Sequence, residues 1–476
     1  MENAYDTVVG LEIHVQLNTK SKAFSNDKNN FGSSPNENIH PVSIALPGAL
    51  PKTNRSQVLS SVKLGVALDS TINKNSYFDR KNYFYPDSPK GYQITQDGQP
   101  ILVGGQFSFD TGGTRKSIRI HHVHMEDDAG KSIHDLDDHH TMIDLNRAGT
   151  PLLEVVTEPD FSTGQEVSDF LAAFQILIRY LEISDANMEE GSLRCDCNVS
   201  VKPAGQVTLG TRCEIKNINS KKFAKIAIAY ERDRQIKTLE QGQTILQETR
   251  LFDANTLATY SMRKKEEALD YRYFPDPDLQ PIILSEELIQ NIKSGIDFLP
   301  WTAQEQLEKS GVQTDKAKSL STDKNMVIYF ITLNHYLKEP KLVADFVQNH
   351  ISPHWSEIKD ANHHLLKDRW VELLQLINEN KLSASSAYQK LIPQILADHT
   401  KSVASLAEAE NLLIVASSED ELISICQEIL TSAPDKVAAY KKGKKGLLGF
   451  FMGQAMRKGK SYNPKELQKT FEQLLA

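Results

Sequence analysis

Val9-Gly10-Leu11-Glu12-Ile13-His14-Val15-Gln16-Leu17 alternates from Leu11 onward, with Leu11, Ile13, Val15 and Leu17 interleaved with Glu12, His14 and Gln16. A period of two is the signature of a β-strand, whose successive side chains point to opposite faces. One face is apolar and belongs to a core. The other carries Glu12 and His14 together, where both can reach one point above a sheet, as a metal or phosphate site would need. The competing reading is a half-exposed edge strand with an ordinary polar outer face.

A second stretch, His121 to Asp160, contains HHVHMEDDAGKS and DLNRAGTPLLEVVTEPD. Glu154 lies within Leu152-Leu153-Glu154-Val155-Val156, where a carboxylate is costly to desolvate unless a cation or a hydrogen-bond network compensates it. Gly130-Lys131-Ser132 resembles the end of a P-loop, but the leading glycine of that motif would fall at Met125. No GxGxxG turn replaces it. Any nucleotide would therefore be gripped through Mg²⁺ held by acidic side chains, since Mg²⁺ prefers oxygen ligands and bridges phosphates. Glu12, His14, Glu126, Asp127, Asp128 and Glu154 are the candidates.

Asp79 to Gln93 reads DRKNYFYPDSPKGYQ and mixes Arg80, Lys81 and Lys90 with Tyr83 and Tyr85. Such a loop can stack a base and pair with phosphate, or be a packed aromatic loop with its charges in water. Farther on, Arg194, Asp196 and Asn198 alternate, as do Glu214 and Lys216, so each set can share one strand face.

The chain has 476 residues, 39% hydrophobic and 24% charged, enough for a sizeable core in two to four domains. No apolar run approaches the length of a membrane helix and the first residues do not read as a signal peptide, so the cytosol is the expected compartment. Cys195, Cys197 and Cys213 cluster without a fourth ligand nearby and read as reduced thiols rather than a zinc site. Helical spacing of Val167, Phe170, Leu171, Phe174, Leu177 and Leu181 follows a candidate capping box, Ser162-x-x-Gln165. A second helix is predicted from Ser220, with Phe223, Ile226, Ala227 and Tyr230 on one face. Beyond a boundary near Leu299-Pro300 helical periodicity takes over, giving an α+β chain with a helical second part. Although the net charge is −8, Lys436 to Lys469 holds ten lysines and arginines against one acid, Glu466. This suggests a polyanion partner or a solvated basic face.

The blocks VVGLEIHVQL, DRKNYFYPDSPKGYQITQ, HMEDDAGKS, DLNRAGTPLLEVVTEP, MEEGSLRCDCNVSV, EIKNINS, QETRLFD and DYRYFPDPDL, with the C-terminal GLLGFFMGQAMRKGKSYNPKELQKTFEQLL, resemble in order the B subunits of bacterial tRNA-dependent amidotransferases. The resemblance spans nearly the whole chain. It implies a glutamine-synthetase-like cradle domain built on an antiparallel sheet (1–294), a helical domain (295–405) and a helical tail (406–476). It implies ATP-dependent phosphorylation of the side-chain carboxylate of Glu-tRNA(Gln) or Asp-tRNA(Asn), then displacement of phosphate by ammonia. Mg²⁺ would be held by His14, Asp127 and Glu154. Asp127 stands where the family more often has glutamate. The resemblance further implies catalytic roles for Glu12, Glu126, Lys90, Arg194, Glu214 and Lys216, and nucleotide binding by Arg80, Lys81, Tyr83, Tyr85 and Lys90. Contacts to tRNA would come from Lys441, Lys442, Lys444, Lys445, Arg457, Lys458 and Lys460. The chain carries no amidase signature, so ammonia would come from a partner A subunit, with a small C subunit completing a heterotrimer. A free-standing ligase of the glutamine-synthetase kind and a non-catalytic tRNA-binding scaffold are the alternatives.

Overall fold

Leu11, Ile13 and Val15 are almost wholly buried, and the strand that carries them, β1 (Tyr5–Gln16), lies in the middle of a ten-stranded sheet. The computed structural model describes residues 4–134, 136–137, 139–264, 270–359, 363–398, 400–414, 418–456 and 462–475. The other strands of this sheet are β2 (Thr71–Ile72), β3 (Leu102–Val103), β4 (Gln106–Thr111), β5 (Thr114–Asp127), β6 (Pro151–Thr157), β7 (Leu193–Pro203), β8 (Cys213–Ile218), β9 (Glu248–Asp253) and β10 (Ala258–Lys264). Their order is β10-β9-β8-β7-β1-β6-β5-β3-β2, with β4 paired to β5. Among the described pairs only β8 and β9 run parallel. The edge-strand reading of Val9–Leu17 is thus corrected: β1 is paired on both sides, to β6 and β7.

Alternation fixes the register. Val9, Leu11, Ile13 and Val15 share the buried face with Cys195, Cys197 and Val199 of β7, Leu153 and Val155 of β6, and Val123 and Met125 of β5. A slip of one residue would bury Glu12 and His14 and expose aliphatic side chains worth about 1.5–3 kcal/mol each. Cys195, Cys197 and Cys213 are buried free thiols.

Helices α1 (Arg55–Ala67), α2 (Gly164–Tyr180) and α3 (Lys221–Glu240) pack on the sheet. The box that starts α2 lies one residue beyond the predicted one. Thr163 caps Glu166 N–H, and the Glu166 carboxylate returns to the Thr163 backbone N–H. α3 begins after Ser220 as predicted, but its buried stripe is Ala224, Ala227, Ile228, Glu231 and Gln235, while Tyr230 is exposed. Polar pairing overrides hydropathy there. Glu231 receives Arg234 at 2.6 Å and Arg250 at 3.3 Å, and Gln235 bonds the β7 backbone at Val199 and Val201.

Contacts divide the chain into two compact units, Met1–Pro300 and Trp301–Ala476. Among its described residues the second is built of helices and one isolated bridge, Leu382 to Leu413; Phe330 is buried, and Phe346 and Trp370 pack ring to ring at 5.6 Å. Cys426, Phe451, Phe471 and Leu475 belong to one core cluster. No described helix is long and apolar enough to cross a membrane.

Candidate active site

The polar face of the sheet gathers its functional groups by register. His14 is the Cα partner of Glu154 on one side and of Arg194 on the other, and Glu154 is in turn the partner of His124. Four strands thus contribute one continuous row, Arg194–His14–Glu154–His124. Two residues along the same strands lie Glu12, Asp196 and Glu126, which alternation puts on the same face.

Within this row His14 Nε2 is 3.2 Å from Glu154 Oε2 and 3.5 Å from Glu126 Oε1. His124 Nε2 makes a matching pair of approaches, 3.3 Å to Glu154 Oε2 and 3.7 Å to Glu126 Oε2. Burial disfavours an imidazolium at both histidines, yet Glu154, aided by Glu126, more than offsets it. His14 is pushed up, and His124 is pushed up to about 10. Conversely, burial penalises the Glu154 carboxylate, but His124 and His14 hold its pKa well below the usual range. Glu12 is raised by burial and then by Glu154, while accepting a 2.9 Å hydrogen bond from Asn198.

Cations ring this centre. Arg194 reaches Asp128 at 2.7 Å, and Arg147 reaches the same carboxylate at 3.2 Å. Lys216 lies 2.8 Å from both Asp196 and Glu214; burial opposes its charge, but these two carboxylates prevail and raise its pKa. A cavity of about 470 Å³ opens beside Glu12 and Asn198, bounded also by Ser200, Thr211 and Arg212.

Asp127, expected as a metal ligand, is not brought to His14 and Glu154. As the neighbour of Glu126 it faces the other way, ion-paired to Lys90 and accepting the Ile94 N–H at 2.9 Å. Burial raises its pKa despite Lys90. Glu126 takes its place at the cluster, and the ligand atoms of His14, Glu126 and Glu154 lie within 4.8 Å of one another. Six-coordinate Mg²⁺ with bonds of about 2.1 Å places adjacent ligands about 3 Å apart, so one imidazole and two carboxylates at these separations fit a divalent cation.

The predicted nucleotide patch is only partly free to meet a ligand. Arg80 spends its guanidinium on Asp276 at 2.8 Å and Asp278 at 2.7 Å, and lies over the Tyr92 ring. This joins strand Asp79–Asn82 to Phe274–Pro275, the proline-punctuated segment. Lys90 is engaged by Asp127. Tyr83 is half-buried, its hydroxyl pushed up to about 12 by burial and then by Asp127. Lys81 lies over the Tyr271 ring, and Tyr85 is exposed. Lys441, Lys442, Lys444 and Lys445 are exposed around the turn after helix Pro434–Lys441, whereas Arg457, Lys458 and Lys460 lie outside the described residues. The residue that sequence reasoning missed is His124. Its signal was present, because it lies two positions before Glu126 on the same strand face.

A histidine–carboxylate centre ringed by lysine and arginine, on the polar face of a largely antiparallel sheet, is that of an enzyme handling anionic groups. A family model described as the GatB/GatE catalytic domain matches residues 7–290, and one described as the GatB domain matches residues 329–475. The chain is 44% identical over 477 residues to the B subunit of the aspartyl/glutamyl-tRNA(Asn/Gln) amidotransferase from Chlorobium phaeobacteroides, covering 99% of each chain. It is 41% identical over 477 residues to its counterpart from Persephonella marina, covering 99% of each, and 42% over 467 residues to that from Rickettsia bellii, covering 97% of this chain and 95% of the relative. The chain belongs to this family, that of the B subunits of tRNA-dependent amidotransferases.

Proposed function

We propose that the chain activates the side-chain carboxylate of Glu-tRNA(Gln) or Asp-tRNA(Asn) with ATP and amidates it with ammonia supplied by a partner A subunit. A carboxylate is a poor electrophile. Attack of its oxygen on the γ-phosphorus releases ADP and gives an acyl phosphate; attack of ammonia on the acyl carbon then expels phosphate, leaving the amide. The observation that carries this reading is the pairing of His14 with Glu154 across adjacent strands, with Glu126 beside them.

A divalent cation, Mg²⁺ in the cell, held by His14, Glu126 and Glu154 would screen the carboxylate and the γ-phosphate from each other. Glu12, raised by burial, is suited to take a proton from the incoming ammonia. Arg194 and Lys216, held cationic by their carboxylate partners, would stabilise charge developing on transferring oxygens, with Glu214 fixing Lys216. Lys90 pairs with Asp127 on the side turned away from His14 and Glu154, so its part in the reaction would be through the nucleotide patch. Arg80, Lys81, Tyr83, Tyr85 and Lys90 form the nucleotide patch, in which Lys81 and Tyr85 have the most freedom to meet a ligand.

The rest of the reading follows from family membership. Residues 1–294 form a cradle of the glutamine-synthetase kind, 295–405 a helical domain and 406–476 a tail that holds tRNA phosphates. The exposed cluster Lys441, Lys442, Lys444 and Lys445 supports that role for the tail. A and C subunits complete a cytoplasmic heterotrimer. The test is ATP-dependent conversion of Glu-tRNA(Gln) by the chain with its A and C subunits and glutamine. Absence of amide product, or equal product from free glutamate, sinks the proposal.

A further inference from the structure

Asp128 is pinned by its backbone and by both of its carboxylate oxygens. Its N–H donates to Thr150 O and its carbonyl accepts the Gly149 N–H, each at 2.9 Å, which laces the residue after β5 to those before β6. Oδ1 accepts the Ala129 N–H at 3.0 Å. Oδ2 takes two guanidiniums, Arg194 at 2.7 Å and Arg147 at 3.2 Å. A turn at 145–149 delivers Arg147 to that oxygen: the Ala148 N–H bonds Leu145 O, the Thr150 N–H bonds Arg147 O, and Gly149 adopts a φ of +83°.

Two cations on one carboxylate oxygen are one more than neutrality requires. The second guanidinium repels the first, a cost that a further anion would offset. The fork is held from beneath and open outward, since the Asp128 side chain is 8% exposed, Arg194 35% and Arg147 41%. Arg147 spends Nε and Nη2 on Asp128 and on the Ala129 and Gly130 carbonyls, and Arg194 spends only Nη2. Among the described residues Arg147 Nη1 and Arg194 Nε and Nη1 have no hydrogen-bond partner. The pair stands beside the histidine–carboxylate centre: Arg194 is the Cα partner of His14, and Asp128 follows Glu126 by two residues.

We propose that Arg147 and Arg194 together clamp the phosphoryl group transferred from ATP, with Asp128 as the positioning residue that holds both guanidiniums. The inference rests on the reading of the chain as an ATP-dependent activator of a carboxylate. In that step the bond from the γ-phosphorus to the bridging oxygen breaks and its electron pair leaves with ADP. A substrate carboxylate oxygen bonds the phosphorus, and no proton moves. The oxygens that stay on phosphorus need donors throughout, and two planar forks match them better than point charges do.

The test uses the complete complex of A, B and C subunits with glutamine withheld, so that acyl-phosphate formation on Glu-tRNA(Gln) is read as ADP release in a single turnover. Arg147→Ala should lower that rate about 10²–10³-fold, while affinity for Glu-tRNA(Gln) stays within about twofold. Added guanidinium ion should restore part of the loss, which it would not do for a merely structural role. Arg147→Lys keeps a charge for Asp128 and hence the fold, but it lacks the second arm and should still lose at least about tenfold. Asp128→Asn should lower the same rate, spare tRNA affinity and gain nothing from guanidinium. A rate for Arg147→Ala within about threefold of the unmodified complex, or a loss confined to tRNA affinity, would overturn the clamp and leave the ATP-dependent reading standing. Absence of ADP release by the unmodified complex would overturn that reading itself.

Discussion

Replacing Glu154 with Gln keeps the side chain's volume and removes the charge that both histidines share. In the metal-free protein His124 rises from the ordinary 6.5 to about 10 although burial alone would depress it. At about 1.4 kcal/mol per pH unit that is an upper limit near 5 kcal/mol of net interaction favouring the imidazolium, shared between Glu154 and Glu126. The sign follows from linkage. A histidine whose folded pKa is raised contributes stability that is fully present below pH 6.5 and is lost as pH rises through about 10. Urea unfolding of the metal-free chain should therefore show stability declining from pH 6.5 toward 10, and Glu154→Gln should flatten most of that decline. Ring proton titration by NMR should show His14 and His124 falling together in the variant, since Glu154 is the leading cause that raises each. The same variant should lose ATP-dependent phosphorylation while holding tRNA almost as tightly. A variant with the same pH slope as the unmodified protein, or one that loses tRNA binding instead, would refute the placement of Glu154 at this centre.

Other outcomes are expected from the same structure. Metal affinity should rise with pH, because ligation requires His14 to give up its proton; calorimetry in two buffers of different ionisation enthalpy should reveal proton release, and a pH-independent affinity would contradict it. Ile13→Ala, at a fully buried position of the central strand, should cost about 2–5 kcal/mol in urea unfolding. Glu231→Ala leaves Arg234 and Arg250 with Glu248 as their remaining carboxylate and should cost about 1.5–3 kcal/mol, whereas a change under about 1 kcal/mol would mean that Glu248 and water take over the pairing. Deleting residues 406–476 should weaken tRNA binding and flatten its salt dependence, by roughly 0.9 in the log–log slope for each phosphate contact removed, yet spare glutamine hydrolysis by the partner. Unchanged tRNA affinity would return Lys441, Lys442, Lys444 and Lys445 to an ordinary solvated face.

Local patterning was enough to set the frame. Strict alternation over Leu11–Leu17 marked a strand with Glu12 and His14 on one side, because pleating leaves no other arrangement. The apolar spacing after Thr163 marked α2, and the ordered signature blocks carried the family. Where a local rule met tertiary polar pairing it failed. The buried face of α3 turned toward Glu231 and Gln235 because Arg234, Arg250 and the β7 backbone satisfy them there, a compensation no single segment displays.

Which acid belongs to the centre was set by long-range strand pairing. Glu126 and Asp127 are adjacent, so pleating sends them to opposite faces, and the sequence does not say which face of β5 meets β1 and β6. The long-range register Leu152↔Glu126 and Glu154↔His124 turned Glu126 inward to His14 and left Asp127 to Lys90. The same register made Glu12, His14, His124 and Glu154, contributed by three strands up to 142 residues apart, neighbours on one sheet face.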